Sequence, residues 1–245
     1  MLTSCALEQN NTRLLACGGL DTKIYVFTIN KKEEPGKMTK STELIGHVGI
    51  ITCCHFLDEN FFISGSNDSI FILWDISKEA NVRQFVDHES EITCMDVCEE
   101  DRNLLVSGSD DTTIRVWDVR MKEPCTRIFE EGKSSISTVK FMPARYFNFK
   151  HHSKTTIVAG DDSGIIKLLD TKAIGKVAEY KQPEVEGVKA LAFSASARLL
   201  FATYKSTDIF VWDTLSESIS TKIDNAHRIQ VTSLGKYCVI GSHFF

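Results

Sequence analysis

Hydrophobic runs that recur at a long, nearly constant period leave a chain few folds. Each repeat must be one small unit that buries its apolar face against the next. Here the unit is clearest over Leu104–Arg120. Leu104–Ser107 is a short apolar run, Gly108–Asp111 is a turn cluster, and Thr113–Val119 alternates in polarity and ends in Trp117–Asp118. Upstream, His88 precedes another alternating run, Glu91–Cys98. The unit is therefore a histidine, two strand-like runs, a tight turn and a third strand closed by Trp-Asp.

The positions equivalent to Trp117 are Phe27, Trp74, Leu169 and Trp212, so the five stand 47, 43, 52 and 43 residues apart. The first unit takes Cys5–Leu7, Leu14–Gly19 and Lys23–Ile29, then a solvated polar connector, Asn30–Lys40, and an outer strand near Thr42–Ile45. The second takes Ile50–Leu57, Phe61–Ser64, a turn at Gly65–Asp68, Ile70–Ile76 and Val82–Val86. The third adds Thr126–Phe129 as its outer strand. The fourth takes Ile136–Phe141, Thr156–Ala159, a turn at Gly160–Gly164, Ile165–Leu169 and Val177–Tyr180. The fifth takes Val188–Phe193, Leu199–Thr203, a turn at Tyr204–Thr207 and Ile209–Thr214, and a sixth gives Ile229–Leu234 and Tyr237–Ile240. Four short strands per repeat at this period predict an all-β fold: a β-propeller of four-stranded antiparallel blades, about five full blades plus a partial one. The blades fall at about 1–46, 47–87, 88–131, 132–184, 185–226 and, in part, 227–245, one domain spanning 1–245.

With 245 residues, 42% of them hydrophobic, the chain can bury such a stack. A formal net charge of −5 supplies no field that draws nucleic acid or anionic lipid. No apolar run approaches the roughly 18 residues that cross a bilayer. The first residues lack the basic start and apolar core of a secretion signal, so a cytoplasmic location is expected. The 8 cysteines form no Cys-x-x-Cys pair and mostly sit in strand-like runs, which predicts reduced core thiols. A redox-active vicinal pair, Cys53–Cys54, is the alternative, although nothing nearby supplies charge to hold a thiolate. Arg145–Lys154 is basic with three aromatics; it reads as a long hairpin loop rather than a nucleic-acid arm, and His151 and His152 lack a third metal ligand nearby.

Two units carry four polar residues in register: His47, Ser64, Asp68 and Trp74, then His88, Ser107, Asp111 and Trp117. One such set could suggest a hydrolase triad, but a set repeated in successive units points to a structural network. The other units keep the strands and drop the network. The first has Asp21 but Phe27, the fourth has Ser163 and Leu169, and the fifth has Trp212 but Ser206 in place of the acid. No glycine-rich phosphate loop or nucleophile elbow occurs, and Asp110–Asp111 and Asp161–Asp162 sit where turns favour Asp. The expectation is no catalysis, no metal and no cofactor.

The His-Ser-Asp-Trp sets resemble the structural tetrad of WD-repeat propellers. The resemblance implies that the turn Asp accepts from the His, which links through the Ser to the indole N–H. Further runs are similar to heterotrimeric G-protein beta subunits: Ala16-Cys-Gly-Gly-Leu-Asp21 with Ile24-Tyr25 to their second blade, and Gly46–Asp58 with its vicinal cysteines to their third. Phe193–Leu200 and Val211-Trp-Asp-Thr-Leu215 resemble their sixth. The resemblance runs in one register from residue 1 to about residue 242. It implies part of a seven-bladed ring, without counterparts of the family's N-terminal helix, first blade and closing strands.

In that family the helix coils with a gamma subunit, and the propeller face binds a GDP-bound alpha subunit and then effectors, none of it catalytically. Implied here is a signalling scaffold with an alpha subunit and effectors as partners, a gamma subunit left without its helix, and contact with the inner face of the plasma membrane only through partners. The positions that match family contacts to the alpha subunit are Leu20, Thr22, Val48, Ile50, Glu91, Thr93, Ser135, Ser137, Asp161 or Asp162, and His243. Leu20 and the Asp pair match the family, and Glu91 keeps an acid; Ile50 stands for an aromatic, His243 for Trp, and Ser135 and Ser137 for an acid and an amide. A different cytosolic WD-repeat adaptor, in ubiquitin ligation or on the ribosome, stays open beside this reading.

Overall fold

The computed structural model describes residues 1–8, 14–30, 37–130, 134–143, 156–172, 176–182, 185–194, 196–206 and 208–223, with 228–231 and 238–241 described through their backbone. The insertion at 144–154, His243 and the turn and end of the sixth unit lie outside the described residues.

Among the described residues every regular element is a strand. The first blade comprises β1 (Leu2–Leu7), β2 (Leu14–Gly19), β3 (Lys23–Asn30) and β4 (Lys37–Ile45). The second comprises β5 (Ile51–Phe56), β6 (Phe61–Ser66), β7 (Phe71–Asp75) and β8 (Ala80–Phe85). The third comprises β9 (Ile92–Val97), β10 (Leu104–Ser109), β11 (Ile114–Asp118) and β12 (Cys125–Phe129). The fourth comprises β13 (Ile136–Phe141), β14 (Thr156–Asp161), β15 (Ile165–Asp170) and β16 (Lys176–Lys181). The fifth comprises β17 (Val188–Phe193), β18 (Leu199–Tyr204), β19 (Ile209–Asp213) and β20 (Ser218–Ile223). A two-stranded sheet, β21 (Arg228–Val231) with β22 (Cys238–Gly241), follows. Within each blade the strands pair in chain order, all antiparallel.

The first strand of each blade packs on the first strand of the next, β1 on β5, β5 on β9, β9 on β13, β13 on β17 and β17 on β21. This makes an arc of propeller blades, which does not close on itself among the described residues. The core is accordingly a series of layers between blades. Ile24, Leu44, Ile51 and Trp74 fill the first layer, and Phe71, Phe85, Ile92 and Trp117 the second. Val106, Phe129, Ile136 and Leu169 fill the third, and Ile166, Tyr180, Val188 and Trp212 the fourth. Two-sided burial explains why the middle strands read as continuous apolar runs, while the outer strands alternate and expose polar residues.

Two devices join successive blades, and neither stands out in the sequence. A hydroxyl near the start of the inner strand in each of the first four blades donates both to its own second strand and to the next blade. Thr52 reaches the carbonyls of Gly65 (3.2 Å) and Ile92 (2.6 Å). Thr3 spans Gly18 and Ile51, Thr93 spans Gly108 and Ile136, and Ser137 spans Gly160 and Val188. Beside each hydroxyl a glycine of the second strand takes the β-branched residue that opens the next blade. A Cβ on Gly18 would meet Ile51 at 2.4 Å, one on Gly108 would meet Ile136 at 2.4 Å, and one on Gly160 would meet Val188 at 2.6 Å.

Several boundaries differ from those read in the sequence. Gly65, Gly108 and Gly160 are strand residues, not turn residues, because the next blade needs the space of their missing side chains. Tyr204 likewise ends β18 and is fully buried, instead of opening a turn. The connector assigned to Asn30–Lys40 is shorter, since β3 and β4 stay paired out to Asn30 with Lys37. A lysine-bearing strand is stable there because β4 is the outer strand and leaves Thr39 and Lys40 exposed.

Candidate functional site

In an up-and-down blade, the entry to the first strand and the turn between the second and third strands share one end. The candidate contact residues cluster there. Leu20 and Thr22 lie in the β2–β3 turn, Val48 and Ile50 ahead of β5, Glu91 ahead of β9, and Asp161 and Asp162 at the β14–β15 turn. Main-chain bonds tie each turn to its own blade's entry: Leu20 N to Met1 O (3.1 Å), Asn67 N to Ile50 O (3.0 Å), Asp110 N to Glu91 O (2.9 Å) and Asp162 N to Ser135 O (2.9 Å). This end is a row of anchored turns.

Each turn closes on a residue in the left-handed region: Thr22 (φ 63°), Ser69 (φ 68°), Thr112 (φ 68°) and Gly164 (φ 82°). Non-glycine residues there carry a cost. A carboxylate offsets it by gripping the chain beyond. Asp68 Oδ1 accepts from Ile70 N (3.1 Å), and Asp111 Oδ1 accepts from Thr113 N (2.8 Å) and Thr113 Oγ1 (2.7 Å). In the fourth blade Ser163 stands at this position. Asp161 does the work from the strand end instead, accepting from Ser163 N (3.0 Å), Ser163 Oγ (2.6 Å) and Ile165 N (3.0 Å).

The second carboxylate oxygen points inward and starts a relay to the core. His88 Nδ1–H donates to Asp111 Oδ2 (2.7 Å), Ser107 donates to His88 Nε2 (2.7 Å), and Trp117 Nε1–H donates to Ser107 Oγ (2.8 Å). His47, Asp68, Ser64 and Trp74 repeat it at 2.9, 2.8 and 2.9 Å. The donor order follows from the partners, since the indole can only donate and the carboxylate only accept. It requires a neutral imidazole. The equivalent Ser positions elsewhere hold Cys17, Ala159 and Ala202, read from the strand register. In the fifth blade the indole N–H of Trp212 is therefore buried without a hydrogen-bond partner. The Tyr204 hydroxyl beside it is also unpartnered; burial pushes its pKa up to about 12, while the facing indole favours the ionised form without closing a hydrogen bond.

Titration follows from this wiring. Burial lowers the pKa of His47 and His88 below the ordinary imidazole value, against the pull of Asp68 and Asp111. Burial would raise the Asp111 carboxyl, but its bonds from Thr113, His88 and backbone amides hold it at about 2. Both shifts act in one direction. The unfolded chain takes up protons on its histidines below about pH 6.5, and on its Asp below about pH 4, where the folded chain resists. Stability is therefore expected to be fully present at pH 7 and to fall as pH drops below about 6.5, then again from about 4 toward 2. Urea midpoints across this range, with imidazole chemical shifts, check it. A midpoint that rises between pH 7 and 5 would contradict the assignment.

The candidate contact residues fare differently. Leu20 and Val48 are apolar and 48% and 86% exposed. Ile45 and Val86, at the ends of β4 and β8, add 65% and 64% exposed apolar side chains at the same end; neither was a sequence candidate. Glu91 and Asp162 are exposed, Asp162 with Lys205 at 3.5 Å. Thr22 and Ile50 are half-buried, and the Ile50 amide donates to Asn67 Oδ1 (2.6 Å). Asp161 is buried and committed to its own turn, so of the Asp161–Asp162 pair only Asp162 faces outward. Thr93 and Ser137 are committed to the inter-blade bridges, and Ser135 donates to Asp110.

The inner strands bring together polar groups that the sequence did not suggest. Asp96 accepts from Lys140 Nζ (2.7 Å) and Phe141 N (2.8 Å), with His55 close enough to feel both charges. These bonds use up the Asp96 carboxylate as a link between the third and fourth blades. The vicinal thiols have no activation: burial raises both, Cys54 up to about 12. Among the described residues no group of three or more His, Cys, Asp or Glu side chains is placed to hold a metal ion.

The model of the family described as "WD domain, G-beta repeat" matches residues 38–75 and 80–118. Each matched unit runs from the outer strand of one blade to the Trp-Asp that closes the third strand of the next. Over 247 residues, 95% of this chain, the chain is 30% identical to "Guanine nucleotide-binding protein subunit beta" of Solanum tuberosum. The Arabidopsis thaliana and Zea mays proteins of the same name are each 30% identical, over 248 and 249 residues. The chain carries WD repeats and is similar to these G-protein beta subunits. It spans about 63% of the length of these relatives. The two matched units are those that end in the complete relays of Trp74 and Trp117.

Proposed function

We propose that this G-beta-like chain is a non-catalytic scaffold that binds the alpha subunit of a heterotrimeric G protein through the turn end of its blades, and binds effectors there once the alpha subunit leaves. The observation that carries the reading is the group of exposed apolar side chains, Leu20, Ile45, Val48 and Val86, on anchored turns beside the acids Glu91 and Asp162. Exposed apolar side chains rimmed by charge at one end of a rigid fold suit a protein partner. Rigid presentation also limits the entropy lost on binding. Names borne by the relatives support the class of partner.

The test is binding of the purified chain to an alpha subunit from the same organism, in the GDP form and with a non-hydrolysable GTP analogue. The GDP form is expected to bind more tightly. Val48→Asp and Leu20→Asp are each expected to weaken it roughly tenfold or more with no change in melting temperature, because both side chains project into solvent. Absence of binding, or binding indifferent to both substitutions, sinks the proposal.

A further inference from the structure

We propose that Cys5 and Cys17 form an oxidative modification site, a thiol pair that a peroxide converts into a cross-strand disulfide. The two residues are directly opposed in the β1–β2 register. Glu8 N donates to Leu14 O at 2.9 Å, which makes Glu8–Leu14 a hydrogen-bonded pair. Counting along the ladder alternates the pair type, so Cys5–Cys17 is a non-hydrogen-bonded pair. Cα atoms in such pairs stand about 4.5 Å apart, within the roughly 4.4–6.8 Å that a disulfide spans. The thiols already face each other, Sγ to Sγ, at 3.3 Å.

The reason the pair exists lies in the lost relay of the first blade. Cys17 occupies the register position that Ser64 and Ser107 occupy in theirs. With Phe27 in place of an indole, no relay claims it, and its hydrogen-bond partner is Cys5. The other thiols are differently placed. Cys54 is held by Ser4 Oγ at 3.1 Å. Cys53 and Cys54 are consecutive in β5, so their side chains leave opposite faces of the strand and cannot pair. Cys5 is exposed and Cys17 buried, which separates their roles.

Cys5 thiolate attacks one oxygen of hydrogen peroxide. The O–O bond breaks, hydroxide leaves and is protonated to water, and Cys5 becomes a sulfenic acid, its sulfur oxidised by two electrons as the peroxide is reduced. Cys17 Sγ then attacks the Cys5 sulfur. The S–S bond forms, the S–O bond breaks, and the hydroxyl departs as a second water with the Cys17 proton. Two thiols and one peroxide thus give one disulfide and two waters. The product fixes β1 to β2, three residues from the turn that presents Leu20.

The experiment is peptide mapping of the full chain after hydrogen peroxide treatment, without reductant. A peptide pair joined through Cys5 and Cys17, lighter by about 2 Da than the two thiols, is expected to exceed any other linked pair by roughly tenfold. Dithiothreitol is expected to restore both thiols. Cys17→Ser, which places at this position the residue found in the second and third blades, is expected to abolish the link and leave Cys5 oxidised alone. Linkage of Cys5 to Cys54, linkage through Cys53, or oxidation of Cys5 without any link in the parent chain overturns the proposal. The parent map decides the matter even where a variant folds poorly.

Discussion

Replacing Gly108 with valine is expected to cost about 3 kcal/mol or more, a large fraction of the stability of an ordinary fold. Gly108 lies inside β10, and a Cβ there would stand 2.4 Å from Ile136 Cγ2, 2.9 Å from Ile136 Cβ and 2.8 Å from Cys94 Sγ. Neither neighbour can withdraw cheaply. Ile136 is buried between the third and fourth blades, and its carbonyl accepts the hydroxyl of Thr93. Moving Ile136 therefore breaks the bridge as well as the packing. The argument predicts coupling between the two sites. Ile136→Ala alone should cost about 2–5 kcal/mol through its cavity. In that background Gly108→Ala should cost at least about 1 kcal/mol less than in the parent. Urea denaturation of the four chains measures this. Gly108→Val within about 1 kcal/mol of the parent would show that the blades separate far more easily than this contact implies.

That glycine also shows what the sequence could and could not tell. The period of the apolar runs and the Trp-Asp ends were enough to count strands and blades, because each blade is locally determined by two-residue alternation and tight turns. Gly-Ser before Asp-Asp reads as a turn from its composition, yet Gly108 and Ser109 belong to the strand. What decides it is a residue more than 20 positions away, Ile136, which no local pattern reveals. The bridges of Thr52 and Thr93 are hidden for the same reason, since a Thr in a strand is ordinary until the neighbouring blade supplies a carbonyl. On the candidate face, resemblance picked out Leu20 and Val48, both exposed, but could not separate Asp161 from Asp162. That separation depends on Ser163: with Ser where the first three turns carry Asp, the preceding carboxylate is drawn in to close the turn. Ile45 and Val86 went unnoticed because an apolar residue at a strand end looks like core in one dimension.

Ser107→Ala is expected to lower stability by about 3 kcal/mol, because one small change orphans two buried groups. Ser107 accepts from Trp117 Nε1–H at 2.8 Å and donates to His88 Nε2 at 2.7 Å, and each group left alone costs about 1–3 kcal/mol. The fifth blade shows that the resulting arrangement can still pack, since Ala202 stands at the Ser position and Trp212 keeps its N–H unpartnered in a buried layer. The fourth shows the fully apolar solution, Ala159 with Leu169. The relay is thus one of two stable answers, and the intermediate steps between them are the costly ones. The consequence is a specific non-additivity. Trp117→Phe in the parent removes packing and leaves Ser107 short of a donor. In the Ser107→Ala background it removes an orphan indole, and its cost should be at least about 1 kcal/mol smaller. Equal costs in the two backgrounds, measured by urea denaturation, would mean that the hydroxyl and the indole are not coupled, and that aromatic packing alone accounts for Trp117.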